Sequence, residues 1–372
     1  MTTPSKIYDV AIVGTVGLPA SYGGFETLAE QLVRNLSHRY QMLVFCSGKR
    51  YPSKQNRPDK YDGANLDYLE LDANGWQSVP YDIVSLLRGA RRSRSLLVLG
   101  VSGGLMLPLI RLFWPKVHIA TNVDGIEWKR QKWGWIARTF LHVSEWSAVR
   151  FSHDVVADNQ GICDHINENY GRAAHLIAYG GDNTASVVPD QTMHPVDTNF
   201  EPHSYYFAVC RIEPENNLTS ILEAFAQTPN ARLVVVGNWD SSIFARNLRE
   251  KFSNNSNIEM RDPIYDQVRL GHLRTNAKAY VHGHSAGGTN PSLVEAMYAN
   301  MAILAFDVVY NRYTTENLAI YWLDTEALTK YLCDMTDENL RKNAQKMGEV
   351  ARRHYTWSAI SKKYGAIIPL HA

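Results

Sequence analysis

The chain has only four cysteines, Cys46, Cys163, Cys210 and Cys333, and no two of them stand as Cys-x-x-Cys. Their scatter excludes the usual zinc-ribbon and dithiol patterns and reads as a reduced, cytosolic setting without structural zinc. An excess of charge is lacking too. The formal net charge is +1, whereas a nucleic-acid binder carries a large basic surplus. The N-terminal Met-Thr-Thr-Pro-Ser-Lys has no apolar core of a secretory signal. One apolar stretch, Leu96 to Trp114, is long enough to raise a membrane span. Gly100, Gly103, Gly104 and Pro108 break it and Arg111 charges it, so it reads as strand, turn and helix. No Gly-x-Gly-x-x-Gly follows the first strand and no acid follows the second, which disfavours a nicotinamide or flavin enzyme. Ser285 lacks a Gly-x-Ser-x-Gly elbow, which disfavours a hydrolase. No internal repeat or low-complexity segment stands out.

What the chain does have is length and alternation. Its 372 residues suffice for two domains with separate cores, and 45% hydrophobic with 20% charged residues is ordinary for a globular protein. Apolar runs at Tyr8 to Val13, Gln41 to Cys46, Leu66 to Leu71, Leu96 to Val101, Val117 to Ala120, Asp154 to Ala157 and His175 to Ala178 read as strands. Segments of helical spacing fall between most of them, such as Phe25, Leu28, Leu32 and Leu36. That alternation predicts α/β architecture with parallel sheets. Residues 183–203 carry Pro189, Pro195 and Pro202 without apolar periodicity and read as a linker. Strand and helix resume at Tyr205 to Cys210, Leu218 to Phe225 and Arg232 to Gly237, and Ser358 to Leu370 predicts a terminal helix.

The most informative stretch is His282-Gly-His-Ser-Ala-Gly-Gly-Thr-Asn-Pro-Ser-Leu-Val-Glu-Ala-Met297. Ala279 to His282 reads as a buried strand, Gly287 and Gly288 as a sharp turn, Asn290 as a helix cap and Pro291 as the first helical residue. Asn300 suits a left-handed terminator. A glycine turn feeding a helix N-terminus is an anion site, and the carboxylate of Glu295, one turn further in, suits paired hydroxyls such as those of a ribose. Asp124, Glu127 and Trp128 follow a predicted strand end, where open α/β sheets place ligands; a capped surface loop fits the same spacing equally well. His282 and His284 share one strand face, but no third ligand is near, so no metal site is predicted. Lys129, Arg130, Lys132, Trp133 and Trp135 form a basic–aromatic cluster that suits bland surface or an anionic membrane face.

The His282–Met297 stretch resembles the donor-sugar signature of retaining GT-B glycosyltransferases, Glu, seven residues and Glu before Ala-Met. Its second Glu matches Glu295; its first falls on Gly287. Asn-x-Asp-Gly-x-Glu-Trp-Lys-Arg, from Asn122, and Gly-x-Pro-x-x-Tyr-Gly-Gly-Phe-Glu, from Gly17 to Glu26, resemble the rhamnosyltransferase-type subgroup of bacterial surface-polysaccharide synthesis. The likeness covers nearly the whole chain. It implies two Rossmann-like domains facing across a cleft: an acceptor-binding domain at 1–182, a linker at 183–203, a nucleotide-sugar domain at 204–355, and a helix at 356–372 crossing back to the first domain.

It further implies that Gly23, Gly24, Arg211, Asn216, Gly237, His284, Gly287, Gly288, Thr289, Asn290 and Glu295 bind the donor. Asp124, Arg211 and Glu295 would be catalytic, with Asp124, Glu127 and Trp128 toward the acceptor. Relatives usually carry a Lys where Asn216 stands, and many carry a His where Asp124 stands. The expected donor is dTDP-rhamnose and the expected acceptor a lipid-linked oligosaccharide of an O-antigen or capsule. The expected enzyme uses no cofactor, no metal and no nucleic acid, and is cytoplasmic and peripheral on an anionic inner membrane face. Two alternatives stay open: another donor, UDP-glucose or UDP-N-acetylglucosamine, or a non-catalytic partner subunit, since Gly287 and Asn216 replace two usual charged groups.

Overall fold

A computed structural model describes residues 8–20, 23–51, 57–130, 133–184 and 198–369. The chain divides into two compact units, residues 1–178 with 357–372 and residues 179–356.

The first unit holds strands β1 (Tyr8–Val13), β2 (Met42–Ser47), β3 (Lys60–Tyr61), β4 (Ala64–Leu69), β5 (Ser93–Leu99), β6 (His118–Asn122), β7 (Asp154–Ala157) and β8 (His175–Leu176). Helices α1 (Gly24–Leu36), α2 (Ser78–Arg92), α3 (Leu107–Phe113), α4 (Trp135–Phe151) and α5 (Gln160–Tyr170) connect them. The sheet runs β3-β4-β2-β1-β5-β6-β7-β8, parallel throughout except for the β3–β4 pair. Helices cover the sheet, so the last four residues of β1 and every residue of β2 are buried, giving unbroken apolar runs instead of alternation.

The second unit holds β9 (Tyr205–Val209), β10 (Arg232–Val236), β11 (Ile258–Arg261), β12 (Ala279–His282), β13 (Ile303–Phe306) and β14 (Ile320–Trp322), in the all-parallel order β11-β10-β9-β12-β13-β14. Its helices are α6 (Leu218–Ala226), α7 (Ile243–Phe252), α8 (Gln267–Thr275), α9 (Pro291–Tyr298), α10 (Val309–Thr314), α11 (Thr325–Asp334) and α12 (Asp337–His354). Phe207, Phe225, Trp239 and Trp322 are fully buried in it. Both units are Rossmann-like, with the parallel sheets that the strand–helix alternation predicts.

The last helix, α13 (Trp357–Ile367), belongs to the first unit. Asn122 Nδ2 donates to Tyr364 Oη at 2.7 Å, and Tyr40 Oη donates to the Gly365 carbonyl at 2.9 Å.

The boundaries differ from the expected 1–182 and 183–203. Residues 179–184 are strapped to the second unit: the Gly181 amide donates to the Tyr355 carbonyl at 2.8 Å, and Gly181 lies against the backbone of Val294. Thr198 and Asn199 also belong there, both donating to the Glu259 carboxylate at 2.8 and 3.0 Å. The remainder of the expected linker, 185–197, lies outside the described residues. The stretch from Leu96 to Trp114 is the end of β5, a turn and α3, and among the described residues no helix is long and apolar enough to cross a membrane.

Candidate active site

In the second unit the site is assembled where β9, β10 and β12 end. Arg211 follows β9, and its guanidinium is exposed, with only a loose 3.7 Å approach from Glu213. Gly237 follows β10 and abuts the Cys210 carbonyl and Ile212, which leaves no room for a side chain. After β12 the chain meets the short helical turn at Pro214–Asn216 and is stitched to it. Asn217 Nδ2 donates to the Gly283 carbonyl at 2.8 Å, and the Ser285 amide and hydroxyl both donate to the Glu215 carbonyl at 2.9 Å. A Cβ at Gly283 would collide with the Asn216 carbonyl oxygen, so the two segments approach this closely only because residue 283 is glycine.

Asn216 is buried by this stitching and does not reach out as a Lys would. Its Nδ2 donates to the Arg211 carbonyl at 2.7 Å, which leaves Oδ1 as the acceptor 2.8 Å from His284 Nδ1. The imidazole therefore carries a proton on Nδ1. Asn311 Nδ2 holds the His284 carbonyl at 2.9 Å from below. The Asn216 side chain is thus turned to the Arg211 carbonyl and to His284. His282 is the last residue of β12, so His284 lies beyond the strand and the expected shared strand face is not formed; His282 is enclosed, and burial lowers its pKa to about 3 and keeps it neutral. Among the described residues no group of acids, His or Cys is arranged to hold a metal ion.

The glycine turn then leads into α9. Gly287 has φ 93°, a left-handed backbone that favours glycine, and Gly288 and buried Thr289 continue the turn. Asn290 caps α9, its Oδ1 accepting from the Ser292 amide at 3.0 Å and the Ser292 hydroxyl at 2.7 Å. Asn300, with φ 54°, closes the following turn.

Glu295 stands in the second turn of α9 with its carboxylate paired to Arg274, and Asn183 Nδ2 lies 3.3 Å from the other oxygen. Arg274 is 2% exposed and Glu295 15%, so the cation is the more deeply enclosed partner. Arg274 Nε has no hydrogen-bond partner among the described residues. Arg274, Asn183, Asn311 and Gly283 are site residues that sequence reasoning missed. Arg274 lies 21 residues from Glu295 on α8, a helix without a clear apolar stripe, and no local pattern links the two.

In the first unit, Gly23 precedes α1 with φ 121°, and Gly24 is its first residue. Glu26, in the first turn, is buried with Oε2 unpartnered among the described residues, and burial pushes its carboxyl up to about 7 despite a hydrogen bond from the Val16 backbone. Asp124, just past β6, has φ 57°, its amide donating to Asn122 Oδ1 at 2.8 Å. The Glu127 carboxylate is taken by Arg130 at 3.0 Å and by Trp133 Nε1 at 3.4 Å. Trp128 packs 4.6 Å from His142, ring centre to ring centre, with its indole N–H buried and unpartnered among the described residues.

The basic–aromatic cluster is therefore not one surface. Glu127 draws Arg130 inward, leaving Lys129 and Trp135 exposed and Trp133 half-buried, while Lys132 lies outside the described residues.

Comparison with known proteins adds the following. Residues 7–182 match the family model "Domain of unknown function (DUF1972)", and residues 190–354 match "Glycosyl transferases group 1". No curated protein matches the chain. Among solved structures, a sucrose-phosphate synthase from Thermosynechococcus elongatus is similar in fold, with TM-score 0.76 and 17% identity over 96% of this chain and 97% of that one. A UDP-forming α,α-trehalose-phosphate synthase from Burkholderia xenovorans gives TM-score 0.69 and 10% identity over 96% and 98% of the two chains. An E. coli trehalose-6-phosphate protein bound with UDP-2-fluoro glucose gives TM-score 0.69 and 10% identity over 97% and 99%.

Proposed function

We propose that this chain, a glycosyltransferase of GT-B fold, is a hexosyltransferase that moves L-rhamnose from dTDP-rhamnose, with retention of configuration, to a lipid-linked oligosaccharide. The product belongs to a bacterial surface polysaccharide, an O-antigen or capsule. The observation that carries the reading is the turn from Gly283 to Asn290 feeding α9, with the Glu295 carboxylate fixed by a buried Arg274.

Nucleotide and sugar fall to different parts of this site. Glu295, its orientation set by Arg274, meets the ribose hydroxyls. The exposed Arg211 guanidinium and the N-terminus of α9 meet the diphosphate and stabilise it as it leaves. No cation stands at 216, so these two carry the charge. His284, oriented by Asn216, lies at the sugar, and a leaving phosphate oxygen takes the acceptor proton, so no dedicated base and no metal are invoked. The backbone around Gly287 replaces a carboxylate that would bind a further hydroxyl, which suits a 6-deoxyhexose. The first unit holds the acceptor, with Asp124, Glu127 and Trp128 beside it, and the enzyme works at the inner face of the plasma membrane.

A second reading, a UDP-glucose or UDP-N-acetylglucosamine donor, is favoured by the fold likeness to a UDP-forming synthase and to a protein bound with UDP-2-fluoro glucose. Thermal unfolding with a panel of nucleotide sugars separates the two. dTDP-rhamnose is expected to stabilise most, by about 2.7 kcal/mol at 100 times its Kd. A larger shift from either UDP sugar would move the assignment to the second reading.

A further inference from the structure

The structure assigns a membrane-docking surface to the outer faces of α3 and α4 in the first unit, with anionic lipid headgroups as its partner. It rests on the lipid-linked acceptor proposed above, and of the basic–aromatic cluster it keeps Trp135 alone.

The two helices form one face. Strands β5, β6 and β7 are parallel neighbours in order, so their crossover helices α3 and α4 lie on the same side of the sheet. They are also locked together. Gly104, which leads into α3, abuts the Ser144 carbonyl of α4 with no room for a Cβ, and Ser147 Oγ donates to the Gly104 carbonyl at 2.9 Å.

This face is apolar where a soluble surface is usually polar. Leu112 and Phe113 on α3 are 69% and 65% exposed, and Trp135 and Ile136 on α4 are 78% and 67% exposed. Val143 and Trp146 continue the exposed stripe two and about three turns later on α4 at helical spacing.

Charge selects the occupant. The exposed charged side chains on the two helices are Arg111, Arg138 and Arg150, all basic. The sole acid in either helix is Glu145, which is fully buried and engaged by His165 Nε2 at 2.8 Å and Tyr170 Oη at 2.6 Å. A second copy of the chain would bring like charges together across an apolar contact. An anionic bilayer satisfies both components at once: aromatic and aliphatic side chains enter the headgroup boundary while the arginines meet phosphates.

The test is co-sedimentation of the full chain with vesicles of phosphatidylcholine alone and of phosphatidylcholine with phosphatidylglycerol. Binding is expected on the anionic vesicles and is expected to weaken as salt rises. Leu112→Glu combined with Phe113→Glu, and separately Trp146→Glu, should each weaken it about tenfold or more, and Arg150→Glu about fivefold. All these side chains are exposed, so unfolding temperature and the thermal shift with nucleotide sugar should stay at wild-type values. Loss of that shift in the wild-type chain would instead count against the donor assignment, independently of the vesicles. Failure to sediment with anionic vesicles would overturn the inference, as would sedimentation undiminished in the Leu112/Phe113 variant. A wild-type dimer that becomes monomeric in that variant would also overturn it, giving the face to a second copy.

Discussion

Arg274 carries a buried charge whose carboxylate partner among the described residues is Glu295. Removing one member of such a pair strands the other in a low dielectric, which costs about 3–5 kcal/mol, more than the pair contributes in total. Glu295→Ala is therefore expected to destabilise the chain by that amount and to lose nucleotide affinity. The double variant Arg274→Met with Glu295→Leu should recover most of the stability, because no buried charge remains, while affinity for the free nucleoside diphosphate stays lost. Denaturant unfolding and isothermal titration read the two effects apart. Wild-type affinity in the stable double variant would remove Glu295 from the nucleotide site. The sequence points to Glu295 through its place in a motif, but a partner on another helix leaves no local trace. Asn216 has the same limit: its position is legible beside Arg211, whereas its bond to His284 joins residues 68 apart.

At the level of elements, the strands are the most legible features. A strand covered on both faces is a continuous apolar run, and Tyr8–Val13 and Asp154–Ala157 fall where those runs lie. Boundaries blur where no turn intervenes. α2 ends at Arg92 and β5 starts at Ser93, so the polar residues Ser93 and Arg94 look like helix end and are strand. The stitched loop after β12 was readable as a glycine turn, but not the closeness of its approach to the Pro214–Asn216 turn. That closeness depends on Gly283. Gly283→Ala should force the two segments apart and cost roughly 1–3 kcal/mol, the usual range for overpacking, while also weakening nucleotide-sugar binding. Unchanged unfolding midpoint and unchanged affinity would show that the contact has slack.

For the molecule as a whole, two buried carboxyls tie stability to pH. Burial raises Glu26 from 4.5 to about 7, and burial likewise raises Asp82 from 3.8 to about 7 although Ser102 donates to it. Both lie in the first unit. Unfolded, these groups ionise near pH 4; folded, they keep their protons to about 7. The folded chain holds more protons across that window, so stability is full below it and falls as pH rises through it. Glu26→Gln should flatten the decline and be up to ~3 kcal/mol more stable than wild type above pH 7. A variant with the wild-type slope in denaturant unfolding against pH would contradict this. Two units were legible from chain length, and their parallel sheets from strand–helix alternation; the exact passage between them was not, because residues 179–184 and 198–199 are attached by hydrogen bonds to distant backbone and side chains.

The donor is tested by transfer to a lipid-linked acceptor from dTDP-rhamnose, dTDP-glucose and UDP-glucose in parallel, with the anomeric configuration of the product read by NMR. Transfer is expected to be fastest from dTDP-rhamnose, with retention. Equal or faster transfer from a glucosyl donor, inversion, or no turnover with any donor would contradict this.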